Sequence, residues 1–212
     1  IIVWHYELQC REGRQTMKIN NITIFCGANT GTDPIYEESA YALGQLLAEK
    51  EIGIIFGGGA VGLMGAVADG ALSKGGTVTG VIPQFLVDRE MAHPEVQHME
   101  VVESMHERKA RMETLGDAII TLPGGAGTME EFFEMFTWGQ IGLQKKPIGL
   151  LDVNNFFDAL THLFEKLIEE EFLDEKYMGQ LFIGDDANEI LKSFESYKPI
   201  ETRTYETEKR RR

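Results

Sequence analysis

Three short, almost wholly apolar runs, residues 22–28, 52–56 and 118–122, end in or run into glycine-bearing loops, and each leads to a stretch with apolar residues at helical spacing. A strand this apolar has to be covered on both faces, and parallel neighbours need crossovers that helices supply. The pattern therefore predicts an α/β fold: a Rossmann-like doubly wound parallel sheet in three layers, α/β/α. Further strands are expected at 77–82, stopped by Pro83, and at 96–102, 147–153 and 181–183. Helices are expected at 36–50, 63–74, Met105–Leu115, from near Thr128 to about Gly142, then at 156–172 and 187–197. In such sheets ligands bind outside the carboxyl ends of the strands. The glycine clusters after Phe25, Phe56 and Leu122 fall there, which places one pocket.

With 212 residues and 43% hydrophobic content, the chain has material for one substantial core. Residues 17–200 are read as a single Rossmann-like domain. Residues 1–16 lack a sustained period and read as an N-terminal extension, and 201–212 read as a solvated C-terminal tail. A formal charge of −14 opposes binding to a nucleic-acid polyanion. A small anion remains compatible, because a local cluster of donors outweighs a distant, salt-screened net charge. Cys10 and Cys26 form no CxxC or Cys/His spacing, so neither a disulfide framework nor a metal site is expected. No apolar run reaches the length of a membrane span and no signal-peptide layout opens the sequence, so a cytoplasmic protein without membrane contact is expected.

The strongest local signal is Pro123-Gly124-Gly125-Ala126-Gly127-Thr128-Met129-Glu130-Glu131. Here a strand ends, glycines let the backbone approach a ligand, and a helix opens with unpaired N–H groups and a positive dipole end. A phosphate is the natural guest. On the competing reading, Thr128 merely caps the helix and Glu131 completes a capping box. The loop is neither a GxGxxG fingerprint nor a Walker A sequence. A second loop, Gly57-Gly58-Gly59-Ala60-Val61-Gly62, occupies the same strand-to-helix position and reads equally as a helix start or as a phosphate- or sugar-facing turn. In Met105-His106-Glu107-Arg108-Lys109, two cations near a helix start oppose the dipole preference. Either an anionic ligand explains them or both are solvated. Glu90 follows a strand end and either reaches the same cleft or makes a surface salt bridge.

Taken in order, Gly57-Gly58-Gly59 with Gly62-Leu63-Met64-Gly65, Gly80-Val81-Ile82-Pro83 with Glu90, the Met105 to Lys109 segment and the Pro123 to Glu131 segment resemble the Lonely Guy family. Its members are cytokinin riboside 5′-monophosphate phosphoribohydrolases, formerly labelled lysine decarboxylases. The resemblance implies a hydrolase that cleaves the N-glycosidic bond of a cytokinin riboside monophosphate or AMP. It makes Arg108 and Glu131 the catalytic pair. It sets Glu90, Lys109, Gly125, Ala126, Gly127, Thr128, Met129, Glu130 and Thr137 around the substrate, with Gly124, Gly58 and Gly59 in the adjoining loops. A homodimer with its active site near the subunit contact is implied as well. Ala126 stands where tyrosine is frequent in the family, and Cys26-Gly27-Ala28-Asn29 where serines commonly follow the glycine. No metal or cofactor is expected, and no lysine with an acidic partner suggests pyridoxal-phosphate chemistry. Two other classes share the architecture: a non-catalytic nucleotide-binding module and a DNA-processing-type Rossmann protein.

Overall fold

The computed structural model describes residues 18–89 and 91–204. Strands β1 (Asn21–Phe25), β2 (Gly53–Phe56), β3 (Val78–Pro83), β4 (His98–Val102), β5 (Ala118–Thr121), β6 (Ile148–Leu151) and β7 (Leu181–Gly184) form one sheet in the order β4-β3-β2-β1-β5-β6-β7. Every pairing is parallel. The winding proceeds outward from β1 in one direction, then restarts at β5 in the other. The topological switch point therefore lies between β1 and β5, where a crevice opens at the carboxyl ends.

Helices α1 (Pro34–Glu49), α2 (Gly62–Ser73), α3 (Gln84–Val87), α4 (Met105–Leu115), α5 (Ala126–Ile141), α6 (Asp158–Glu169) and α7 (Ala187–Glu195) connect the strands. Alternation along each strand divides the core. Ile22, Ile24, Ile54 and Ile120 face one side, with Leu43 and Leu47 of α1, Val67 of α2 and Phe194 of α7. Phe25, Ile55, Ile119 and Ile148 face the other, with Met112 of α4, Phe132 and Phe136 of α5 and Phe164 of α6. Both faces of the inner strands β1, β2, β5 and β6 are thus dry, as their unbroken apolar runs require, while the edge strands β4 and β7 are partly exposed.

Local chemistry sets the helix starts. Asp33 caps α1, accepting the Ile35 N–H at 3.0 Å, and Pro34 fits a first-turn position that needs no donor. Ser104 caps α4, accepting the Glu107 N–H at 3.1 Å, and Glu107 reaches back to the Glu103 N–H at 2.9 Å. Several elements differ from expectation. Pro83 ends β3 from within, in register with Val102, because a strand's last position tolerates the missing N–H. The four-residue α3 is too short to show a period. A 3-10 turn at Val153–Asn155 precedes the stretch expected as one helix over 156–172, of which α6 covers only Asp158–Glu169. Within the expected tail, the Arg203 N–H donates to the Gln140 carbonyl at 2.7 Å. The expectation for residues 1–16 lies outside the described residues. Among the described residues, no helix is long and apolar enough to cross a membrane.

The α1–α2 contact depends on two glycines. A Cβ on Gly44 would stand 2.7 Å from the Ala71 nitrogen, and one on Gly70 would stand 2.9 Å from the Tyr41 carbonyl carbon. Backbone lies against backbone, so neither neighbour can swing aside. Gly44→Val is therefore expected to destabilise the fold by about 3 kcal/mol through overpacking, seen as a lower urea midpoint with an unchanged slope. An unchanged midpoint would contradict this packing.

Candidate active site

A cavity of about 450 Å³ opens at the switch point, walled by the loops that follow β1 and β5 and by the first turns of α1, α2, α4 and α5. The loops hold one another: the Gly27 N–H donates to the Pro123 carbonyl at 3.0 Å, and the Leu63 N–H to the Gly27 carbonyl at 3.0 Å. Helix α5 begins at Ala126 with Gly125 as its N-cap and no side-chain capping bond. Its first intrahelical donor is the Met129 N–H, which reaches the Gly125 carbonyl at 3.1 Å. The N–H groups of Ala126, Gly127 and Thr128 therefore lack helical partners, and they form the positive end of a sixteen-residue helix at the cavity wall. That arrangement accepts an anion.

Beside it, α4 and α5 each contribute a charge. Arg108 Nη1 donates to Glu131 Oε1 at 3.0 Å, and both side chains are 9% exposed. Arg108 Nε donates to the Val81 carbonyl at 3.1 Å, tying the guanidinium to the sheet. Burial pushes the Glu131 carboxyl above its ordinary value of 4.5, and the Arg108 guanidinium opposes the rise without cancelling it. A buried carboxyl facing a cavity with a raised proton affinity is suited to exchange protons or to balance positive charge. Cys26 also lines the wall, but burial pushes its thiol up, with the Glu131 charge adding, so it is a protonated thiol at neutral pH and a poor nucleophile.

Of the residues singled out from sequence, Arg108, Gly124, Gly125, Gly127, Thr128, Glu130 and Glu131 line this one cavity. Thr128 is the third residue of α5 and buried, so the capping-box reading fails: the helix starts two residues earlier. The view of Arg108 and Lys109 as solvated fails too, since they are 7% and 3% exposed. Lys109 pairs with Glu130 and, at 3.0 Å, with Glu134. Burial alone would lower its pKa, but the hydrogen bonds to both carboxylates outweigh it and hold the ammonium charged. Lys109, Ala126, Met129, Thr137, Gly58 and Gly59 are not in the cavity lining. Met129 packs against the core under α5, Thr137 is exposed farther along that helix, and Gly59 bridges to Ala92. Glu90 lies outside the described residues. Tyr36, Leu63, Met64, Met105 and Phe156 also line the cavity and had not been singled out as ligand contacts. Their signal was positional: Tyr36, Leu63, Met64 and Met105 lie in the first turn of a helix, and Phe156 between the 3-10 turn and α6.

These features define a class: an α/β protein with an anion-accepting helix N-terminus at the switch point and a buried carboxylate–guanidinium pair beside it. A family model described as "possible lysine decarboxylase" matches residues 64–194. The chain is 38% identical over 182 residues to a cytokinin riboside 5′-monophosphate phosphoribohydrolase of Arabidopsis thaliana, covering 86% of this chain and 84% of the relative. It is also 38% identical over 187 residues to one of Oryza sativa, covering 88% and 77%. A molybdenum cofactor binding protein from Rippkaea orientalis shares the fold, with a TM-score of 0.65 and 23% identity over 84% of this chain and 98% of that one. The chain belongs to the family of the cytokinin riboside 5′-monophosphate phosphoribohydrolases, the Lonely Guy family.

Removing Arg108 exposes the balance at Glu131. With its counter-charge gone, the folded-state pKa of Glu131 rises further above the unfolded value of 4.5. A raised pKa favours the fold below the unfolded value, and that contribution is lost as pH rises through the folded one. Arg108→Ala is therefore expected to lose on the order of 3 kcal/mol at neutral pH and less in acid, measured by urea unfolding across pH. A deficit independent of pH would contradict the coupling.

Proposed function

We propose that this protein hydrolyses the N-glycosidic bond of a nucleoside 5′-monophosphate, a cytokinin riboside monophosphate or AMP, giving the free base and ribose 5-phosphate. The carrying observation is the buried Arg108–Glu131 contact of 3.0 Å in the wall of the same cavity as the open N-terminus of α5. Membership of a family whose curated relatives bear the phosphoribohydrolase name supports it. A module that only held nucleotide would have no use for a desolvated ion pair at this place. The charge of −14 disfavours a single-stranded DNA ligand.

The chemistry follows from charge development. The 5′-phosphate rests on the N–H groups at the start of α5, with Gly124, Gly125, Gly127 and Thr128 around it. Breaking the bond between C1′ and the base nitrogen builds positive charge on the ribose, as in glycoside hydrolysis generally. Glu131, three residues past Thr128, offsets that charge and takes a proton from the attacking water as its oxygen bonds to C1′. The electron pair of the broken bond stays with the base, which takes up a proton and so balances the one that the attacking water gives to Glu131. Arg108 clamps substrate oxygens and holds Glu131 in place. Lysine-dependent decarboxylation finds no support, because no lysine lines the cavity among the described residues and Lys109 is held charged by two carboxylates.

As part of the same reading, the protein works in the cytoplasm as a homodimer. Exposed apolar side chains at the end of α5 and around α6, namely Ile141, Leu143, Leu163 and Phe172, support the contact. Sedimentation is expected to give twice the chain mass, and a monomer at micromolar concentration would refute this part.

Incubation with a panel of nucleoside monophosphates is expected to release base and ribose 5-phosphate, with nucleosides far poorer substrates because the phosphate contributes binding energy remote from the broken bond. Glu131→Gln is expected to lower kcat by about a thousandfold. The acid limb of kcat/KM should lie above pH 4.5, since burial raises the carboxyl that must be ionised. Nucleotide binding without base release, or near-normal turnover by Glu131→Gln, would overturn the assignment.

A further inference from the structure

Gly57 directly follows β2, one position beyond the Phe56–Gly80 pair, which sets it beside Val81 of β3. Arg108 arrives at this point from α4. Its Nε–H donates to the Val81 carbonyl at 3.1 Å and its Nη1–H continues to Glu131 at 3.0 Å, so the guanidinium lies across the carboxyl ends of β3 and β2. A Cβ on Gly57 would overlap Arg108 Nη2 outright and stand 2.9 Å from its Cζ and 3.2 Å from Met64 Sδ. Ordinary contacts between heavy atoms lie at about 3.5–4 Å. Gly58 and Gly62, with φ of 76° and 65°, need glycine for their backbone conformation, but Gly57 is not among the positive-φ residues. What Gly57 supplies is space, and the two nearest atoms that fill it belong to the arginine.

We propose that Gly57 is a positioning residue for hydrolysis: the missing side chain is the seat that lets Arg108 lie between the Val81 carbonyl and the Glu131 carboxylate. A methyl group there meets the far end of a long side chain, which yields more easily than strand backbone. The guanidinium is displaced and the sheet stays. The phosphate loop, a separate segment after β5, keeps its own geometry. Activity is lost through Arg108, and Gly57 itself touches no reacting atom.

A double-mutant cycle tests this, and because its kinetic arm rests on the proposed hydrolase activity, a crystal structure is measured beside it. Gly57→Ala is expected to lower kcat/KM for a cytokinin riboside 5′-monophosphate by about a hundredfold. In the Arg108→Lys background, whose side chain lacks Nη2, the same substitution should change the rate by less than about threefold. The Gly57→Ala crystal structure should keep the sheet and lose the contact between Arg108 Nη1 and Glu131 Oε1. Equal losses in both backgrounds would overturn the role, as would an intact contact in that crystal structure or failure of the substitution to fold in both backgrounds. Absence of base release by any of these proteins, wild type included, would sink the hydrolase reading, while the crystal structure would still decide the role of Gly57.

Discussion

The buried pair of Arg108 and Glu131 constrains everything around it. Taking both charges from water costs several kcal/mol per ion, and their attraction offsets this only when geometry is good and the remaining polar atoms are satisfied. The fold contributes to both conditions: the Val81 carbonyl takes the Nε–H of Arg108, and α4 and α5 are fixed on one face of the sheet by Met112, Phe132 and Met135. The carboxyl nonetheless stays above its ordinary value, because burial outweighs the guanidinium. That imbalance supports the proposed role of the pair in hydrolysis.

The sheet explains why the pair sits where it does. Reversal of strand order at β1 opens a crevice between the β1 and β5 loops, and the Gly27 to Pro123 hydrogen bond of 3.0 Å closes its floor. Each parallel strand delivers a helix N-terminus to the same edge, so positive dipole ends gather there in a chain that carries −14 overall. Nearby donors dominate the field that an anion feels in the cavity, and salt screens the distant carboxylates. An acidic protein holding a phosphorylated ligand is thus consistent with electrostatics.

Much of this was legible in the residues, for identifiable reasons. Apolar runs such as Ile22 to Phe25 mark buried strands, and Met105–Leu115 begins and ends as its capping serine and following glycine indicate. The glycine clusters after Phe25 and Leu122 located the cavity, whereas the one after Phe56 stands outside its lining. The start of α5 was missed by two residues because Thr128 resembles a cap, whereas the cap is Gly125, which offers no side-chain bond. Whether Arg108 and Lys109 were buried could not be read locally, since the burial comes from β3 and α5, distant in sequence. The space at Gly57 was hidden among neighbours that need glycine for a different reason, their positive φ. Spacing shows which residues share an edge of the sheet, and only tertiary contact shows which of them touch.

A crystal structure of Glu131→Gln with AMP bound tests the central claim most directly. The phosphate is expected against the N–H groups that open α5, with C1′ of the ribose facing the carboxamide at position 131. A nucleotide seated elsewhere, or one whose sugar turns its anomeric carbon away from that side chain, would contradict it.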